Sequence, residues 1–214
     1  QIIGKDDDVK KIAGMYIMFT KRGPLFLADT TVNFNPTAEE LAEITLLVAK
    51  EVKQFNIKPR IAMLSYSNFG SSDSPEANLV SKAREIIKQK DPSLICDGEV
   101  QGILAFNKEI LKENYPFTEL LNGEVNILIF PNLSGGNIAY NLLQEVGGTD
   151  SIGPILLGLN KPVHVLQLGS SIRAIFNMVL IAVVDAQTKC KTNTKEVIKK
   201  SKWWKRKKNI AQEM

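Results

Sequence analysis

The stretch Val125-Asn-Ile-Leu-Ile-Phe-Pro-Asn-Leu-Ser-Gly-Gly-Asn137 decides the fold of this chain. Residues 125–130 form a nearly continuous apolar run, which is typical of a strand that is covered on both faces. A polar, glycine-rich turn follows at residues 131–137, and helical spacing of apolar residues continues to Val146. A buried strand that leads at once into a helix is the repeating unit of α/β proteins.

The same alternation of strand and helix continues on both sides of this stretch. Further strands are predicted at residues 15–19, 25–28, 60–64, 94–96 and 163–166. Helices are predicted after Thr37, where Glu40 completes a capping box, after Ser74, where Pro75 follows, and over residues 104–111, 137–146 and 170–185. The sequence therefore predicts an α/β fold of three layers around a largely parallel sheet.

Composition narrows the class of protein. Of the 214 residues, 44% are hydrophobic and 23% are charged, as in ordinary globular domains. The longest apolar run, residues 178–184, is too short to span a membrane. Two cysteines and one histidine are too few for a disulfide framework, a metal cluster or a Ser-His-Asp triad. We therefore expect no metal, no membrane contact and a cytoplasmic location without a signal peptide.

The net charge of +4 conceals an asymmetry along the chain. Residues 189–214 carry ten Lys or Arg against two Glu, whereas residues 1–188 have a net charge of −4. The tail mixes these cations with Trp203 and Trp204, a combination that is able to bind nucleic acid or an acidic surface. A solvated terminal segment is the simpler interpretation and the one we favour, so nucleic acid is not an expected partner.

Four loops follow predicted strands, at residues 65–72, 97–101, 131–137 and 167–171. In parallel sheets, the loops at the carboxyl ends of the strands converge on the ligand crevice. Three of these loops are rich in Ser, Asn and Gly, whose hydroxyl, amide and backbone N–H groups are suited to a phosphate or an amide. The loop at residues 97–101 is acidic instead. We interpret Asp97-Gly-Glu99 as a turn with a structural role, and His164 as an imidazole of the core or of an interface.

These loops and the start of the last predicted helix supply the candidate ligand-binding residues. They are Ser65, Ser67, Asn68, Gly70, Ser71, Asn132, Asn137, Ser170, Ser171 and Arg173. Three structural alternatives stay open: a self-capping turn at residues 65–72, a helix cap at Asn137, and a solvated helix charge at Arg173.

Several motifs in combination resemble the phosphate acetyltransferase and butyryltransferase family. They are Asp97-Gly-Glu-Val100, Pro131-Asn-x-x-x-x-Asn137 and Gly158-x-x-Lys-Pro162. The resemblance implies two α/β domains with the architecture of isocitrate and isopropylmalate dehydrogenases. Residues 10–151 would form the second domain, residues 152–187 would return to the first, and residues 188–214 would be a basic tail. The start of the first domain would be missing from this chain.

The resemblance also implies where the family's chemistry would lie. Active members use arginines to neutralise the phosphoryl oxygens, a serine at the reacting centre and an aspartate that accepts the thiol proton. The serine–arginine pair falls here on Gln167 and Leu168, the aspartate on Ala174, and a further arginine on Glu145. Leucine offers no donor, alanine cannot take a proton and glutamate repels phosphate. No catalytic residue is therefore assigned.

This altered pattern is similar to the phosphotransacetylase-like domain of bacterial hybrid NADP-dependent malic enzymes. The residues that carry this likeness are Ser67-Asn-Phe-Gly70, Pro154–His164 and Asn177-Met-Val with Val183–Gln187. It implies a non-catalytic domain that binds acetyl-CoA, regulates an upstream malic enzyme domain and forms homo-oligomers. NADP and a divalent metal would belong to that upstream domain, since this chain has no Gly-x-Gly-x-x-Gly motif. An active phosphate acetyltransferase and a simple dimerisation module are the alternatives.

Overall fold

The computed structural model describes residues 2–166 and 168–190 of the 214-residue chain. Gln167, predicted at a lost catalytic position, and most of the predicted basic tail lie outside these residues.

Strands and helices alternate along the described part of the chain. The strands are β1 (Ala13–Thr20), β2 (Gly23–Ala28), β3 (Arg60–Leu64), β4 (Ile95–Val100), β5 (Ile127–Ile129) and β6 (Ser151–Leu157). The helices are α1 (Ala38–Gln54), α2 (Pro75–Lys90), α3 (Gly102–Ala105), α4 (Lys108–Asn114), α5 (Leu133–Gly147) and α6 (residues 172–190), with a 3-10 turn at Glu119–Leu121.

The strands form one sheet in the order β4-β3-β5-β2-β1-β6. Strand β1 runs antiparallel to both neighbours, whereas β2, β5, β3 and β4 pair in parallel. A tight turn joins β1 to β2, and helices α1 and α2 precede and follow β3. The predicted α/β fold with a largely parallel sheet is confirmed.

Two cores lie on opposite faces of this sheet, which gives the predicted three layers. Successive residues of β1 contribute to one core and then the other, because successive side chains of a strand point to opposite faces of the sheet. Met15 packs with α1, α2 and Met178 of α6, whereas Tyr16 packs with Tyr140 of α5 and with residues of α3 and α4.

The local helix signals in the sequence are confirmed at two helices. Thr37 and Glu40 form both hydrogen bonds of a capping box at the start of α1. The side chain of Ser74 caps α2, and Pro75 occupies its first turn. The predicted strand at 60–64 is β3.

Other predicted boundaries differ from the structure. Strand β4 continues through Asp97 and Glu99 to Val100, so these two residues do not form a turn. The predicted strand at 163–166 is reduced to an isolated bridge between Ile155 and His164. The region 104–111 is divided between α3 and α4.

Strand β6 was not predicted from the sequence. It pairs with β1, so the sheet includes residues of the segment that the sequence assigned to the return into another domain. The division of the chain at residues 151 and 152 stays a prediction. Within the described ranges, the helices are all too short or too polar to cross a membrane.

Candidate functional site

A cavity of about 340 Å³ lies between β1, β6, α5 and the start of α6. We call it the tyrosine cavity, because the rings of Tyr16 and Tyr140 lie in its wall. It is lined by Tyr16, Tyr140, Gln144, Thr149, Asp150, Ser151, Ile152, Gly153, Leu166, Leu168, Gly169, Ser170, Ser171 and Ala174.

The two tyrosines are stacked, with ring centroids 3.7 Å apart and planes at 25°. Burial, followed by the hydrogen bond with Tyr140, raises the pKa of Tyr16 well above its ordinary value, so its hydroxyl stays protonated. Gly153 allows this arrangement, because a Cβ there would lie 2.4 Å from the Tyr16 ring. Strand β6 therefore lies directly against the Tyr16 ring, and the two together form part of the cavity wall.

The tyrosine cavity has hydroxyl groups but almost no charge. Six of the described lining residues carry a hydroxyl, and Asp150 is the one among them that carries a full charge. Asp150 pairs with Arg173 at 2.9 Å, in a salt bridge whose side chains are 64% and 75% exposed. Arg173 is therefore already engaged by a carboxylate and does not line the cavity.

Four residues that the sequence singled out do line this cavity. Ser170 and Ser171 precede α6, and the Ser171 hydroxyl accepts a hydrogen bond from the Ala174 amide at 3.1 Å, as a helix cap does. Leu168 and Ala174, two of the predicted lost catalytic positions, lie in the wall. Glu145, another of them, is exposed on α5.

The predicted loop at residues 65–72, here called the serine loop, is held together by its own hydroxyl groups. Ser67 is 1% exposed and donates to the Glu99 carboxylate at 3.0 Å. The Gly70 amide donates to the same oxygen at 2.5 Å, and the Ser71 hydroxyl accepts from the Asn68 amide at 2.9 Å. These contacts favour the structural alternative for Ser67 and Ser71, while Ser65 lies half-buried at the start of the loop.

The two predicted asparagines have different positions on α5. Asn132 caps the helix, since its side-chain oxygen accepts from the Gly135 amide at 2.8 Å. Asn137 is exposed within the helix, and its amide group donates to the Thr30 carbonyl at 3.4 Å. The expectation that Asn137 would cap this helix was therefore wrong: the cap lies five residues earlier.

The candidate residues fall into two groups instead of one site. The serine loop follows β3, whereas Ser170 and Ser171 lie beside β6 at the tyrosine cavity. Strands β3 and β6 are four positions apart in the sheet, a separation of about 19 Å at about 4.8 Å per strand. Asn132 lies between the two groups, after β5.

Sequence reasoning missed Asp29, which organises the edge of the sheet after β2. It is 3% exposed, and its carboxylate accepts from the amides of Gly14, Thr31, Val32 and Asn33. An aspartate followed by two threonines is a common turn signal and was available in the sequence. Tyr16 was also missed, because its partner Tyr140 is brought to it only by the sheet.

Two ionisable residues with buried side chains, Asp97 and His164, form hydrogen bonds within the fold. Asp97 accepts from Arg84 at 3.1 Å and from the Thr118 hydroxyl at 2.7 Å. His164 accepts at Nδ1 from the Leu156 amide at 3.3 Å, and burial lowers its pKa, so the ring is neutral. Within residues 2–166 and 168–190, His, Cys, Asp and Glu form no cluster of three that would hold a metal ion.

A largely parallel α/β sheet with a concave, hydroxyl-lined cavity beside its edge strand has the general features of a small-molecule site. The model of the phosphate acetyl/butaryl transferase family matches residues 1–183, and the chain belongs to this family.

Relatives of two kinds are similar to this chain. An NADP-dependent malic enzyme from Haemophilus influenzae is 47% identical over 87% of the chain, which covers 24% of that enzyme. A phosphate acetyltransferase from Bacillus subtilis is 39% identical over 87% of the chain and 57% of that protein. The crystal structure of a phosphotransacetylase from Streptococcus pyogenes superimposes with a TM-score of 0.82 at 39% identity, covering 88% of this chain and 57% of the other. The chain thus spans about a quarter of the malic enzyme and over half of the transferases.

Proposed function

We propose that this chain is a non-catalytic, acetyl-CoA-binding regulatory domain of an NADP-dependent malic enzyme. One observation carries the proposal: the tyrosine cavity has Leu168 and Ala174 in its wall, where the family resemblance expects an arginine and an aspartate. A dianionic acyl phosphate needs planar cationic donors, and a thiol must lose its proton before it attacks. The described lining residues include no cation, and their one carboxylate, that of Asp150, is paired with Arg173.

The same cavity is suited to the neutral end of acetyl-CoA. Hydroxyl groups such as those of Tyr140, Thr149 and Ser151 are able to bond the amides and thioester carbonyl of the ligand. The stacked rings of Tyr16 and Tyr140 offer an apolar surface for the acetyl group. Binding without a cationic clamp for phosphate, beside a carboxylate that is already paired with Arg173, would leave the thioester intact.

Regulation requires that the ligand favours one state of the parent protein over another. A coupling free energy of about 1–3 kcal/mol is enough to change activity noticeably. NADP and the divalent metal would be bound by a separate malic enzyme domain, and the domain described here would also mediate homo-oligomers. The parent protein would work in the cytoplasm, in keeping with the reduced, buried thiol of Cys96.

Filling the cavity tests this proposal. The variant Ala174→Leu inserts a larger side chain into the wall, so acetyl-CoA affinity should fall at least about tenfold in an isothermal titration. Ala186→Leu, on an exposed position of the same helix α6, is the matched control and should bind like the wild type. Equal affinity in the two variants, or no binding of acetyl-CoA by the wild type, would count against the proposal.

An active phosphate acetyltransferase is the second candidate. It is favoured by the 39% identity to the Bacillus subtilis transferase over 87% of the chain. A coupled assay with acetyl phosphate and coenzyme A separates the two functions. Turnover near the typical enzyme value of about 10 per second would support the transferase, whereas thioester binding without turnover would support the regulatory domain.

A further inference from the structure

Two further cavities, separate from the tyrosine cavity, lie at the amino ends of the parallel strands. Gly23 begins β2 there, and Arg60 begins β3. Their volumes are about 910 Å³ and 630 Å³, and they share Arg22, Phe106 and Glu124. We call the combined space the amino-edge pocket. It lies at the edge opposite the carboxyl ends of β3 and β5, from which the serine loop and Asn132 arise.

Cations from separate segments of the chain converge on the amino-edge pocket. Lys21 and Arg22 lie in the β1–β2 turn, Arg60 is the first residue of β3, and Lys108 is the first residue of α4. The acidic residues of its wall are Glu109 and Glu124. This positive excess occurs within residues 1–188, whose net charge is −4.

Arg60 is held in a fixed position without a carboxylate partner. Its Nε donates to the Asn122 carbonyl at 3.2 Å, and its backbone amide donates to the Asn126 side chain at 2.8 Å. Its side chain lies directly over Gly123, where a Cβ would come within 2.1 Å of Nε. A glycine with φ of +130° therefore makes room for this guanidinium group. In the described part of the chain, its two terminal nitrogens have no protein partner.

Arg22 is positioned by Phe106. Its Nη1 donates to the Phe106 carbonyl at 3.3 Å, and its guanidinium carbon lies 5.5 Å from the centre of the Phe106 ring. Glu124 pairs with Lys108 at 2.5 Å. Lys108 first, and then Arg22 and Arg60, lower the pKa of Glu124, which shows that the field in the pocket is positive.

The smaller cavity also has an apolar wall. Pro24, Leu25, Ile57 and Val125 line it together with Phe106. Fixed guanidinium groups beside an apolar wall are suited to a ligand that carries an anionic group on an apolar body.

We propose that the amino-edge pocket is a binding site for a small organic anion, with a phosphate or carboxylate group held by Arg60 and Arg22 and an apolar body against Pro24 and Ile57. This site is independent of the acetyl-CoA site proposed above. Phosphate and carboxylate each offer two oxygens that the planar guanidinium fork of arginine binds in a bidentate way.

Titration of the 214-residue chain with phenyl phosphate tests the site, with 3-phenylpropionate as the carboxylate arm and inorganic phosphate as the probe without an apolar body. At least one organic anion should bind with a dissociation constant of about 1 mM or below, and inorganic phosphate should bind at least about tenfold more weakly. Arg60→Gln and Arg22→Gln should each weaken the organic anion at least about tenfold, the loss expected for one charge-assisted hydrogen bond. Lys58→Gln removes an exposed charge that does not line the pocket and should have no effect.

Arg22 is exposed in a turn, so its variant keeps the test valid if Arg60→Gln unfolds. Saturating acetyl-CoA should leave the affinity for the organic anion unchanged. The proposal is overturned by any of three results: no binding of either organic anion, equal affinity for inorganic phosphate, or equal loss of affinity in the Lys58→Gln control.

Discussion

At the scale of single residues, the hydroxyl groups of the serine loop act mainly on the protein itself. Ser67 bonds Glu99, which is 2% exposed in β4, and Ser67 also accepts from the Ser72 amide at 3.1 Å. The sequence could identify a polar loop after β3. It could not identify Glu99 as the partner, because 32 positions separate the two residues and only the parallel pairing of β3 with β4 joins them.

Removing the Ser67 hydroxyl should therefore destabilise the fold. Ser67→Ala leaves the buried carboxylate of Glu99 with fewer donors, and the free energy of unfolding should fall by about 1–3 kcal/mol. Urea denaturation measures the change. Ser134→Ala, at an exposed position of α5, is the control and should change the stability by less than about 0.5 kcal/mol. An equally small effect in both variants would show that the Glu99 contact contributes little.

At the scale of elements, α5 illustrates why the sequence pattern predicted the wrong first residue for a helix. Two adjacent glycines, Gly135 and Gly136, have low helix propensity, so the pattern favoured a start at Asn137. The structure starts the helix at Leu133 because the N-cap is Asn132. Tertiary packing requires a glycine at position 136, because a Cβ on Gly136 would lie 2.3 Å from the carbonyl oxygen of Asp29. No local pattern reveals that contact.

The two glycines should therefore respond differently to the same substitution. Gly136→Ala forces α5 away from the loop after β2 and should lower the free energy of unfolding by about 1–3 kcal/mol. Gly135→Ala meets only the Asn132 side chain at an ordinary 3.4 Å and should be neutral or stabilise by up to about 1 kcal/mol through helix propensity. Thermal unfolding of the pair measures both, and equal melting temperatures would contradict the packing argument.

At the scale of the whole molecule, α5 and α6 expose apolar side chains. Ile138, Leu142 and Val146 are 59%, 58% and 83% exposed on α5, and Ile172 and Phe176 are 88% and 61% exposed on α6. In general, contiguous apolar surface of this kind is found where a protein meets another protein surface, a membrane or a ligand. The sequence predicted the two helices from their periodicity, but periodicity does not say which apolar residues a sheet will cover.

Glu51 of α1 lies near the buried Asp185 of α6, and this pair of carboxyl groups should make stability depend on pH. Burial, and then the negative charge of Asp185, raises the pKa of Glu51 to about 7. The unfolded chain releases this proton near the ordinary value, so between pH 4.5 and 7 the folded state binds more protons and stability falls as pH rises. Glu51→Gln removes this loss: the variant should match the wild type near pH 4.5 and be more stable at pH 8, on the order of 3 kcal/mol.

Urea denaturation at several pH values measures this difference, and contributions of other groups such as His164 cancel because both proteins contain them. Glu85→Gln, at an exposed position of α2, is the matched control. A constant difference between Glu51→Gln and the wild type across this pH range would contradict the assignment.

The fold was accessible from the sequence because its signals are local and repeated. Capping residues such as Thr37 and Ser74, and apolar runs such as residues 125–130, specify elements without reference to the rest of the chain. The sequence predicted only part of the lining of the tyrosine cavity. Ser170 and Ser171 were predicted from a loop pattern, whereas Tyr16 and Asp150 are brought to the cavity by the pairing of β1 with β6. That strand was missed because Gly153 and Pro154 interrupt its pattern, and both residues normally argue against a strand.

Strand β6 has a consequence for synthesis on the ribosome. It is the last strand in the part of the chain that the structure describes, and its partner β1 lies some 130 residues earlier, so a nascent chain that ends near Asp150 carries a folded hairpin with one side of its backbone unpaired. Such an edge is a template for aggregation with other chains. Translation stalled at that point, or a premature stop codon there, should therefore yield insoluble protein, whereas in the complete fold β6 pairs with β1 and the bridge from Ile155 to His164 covers part of the outer side of β6.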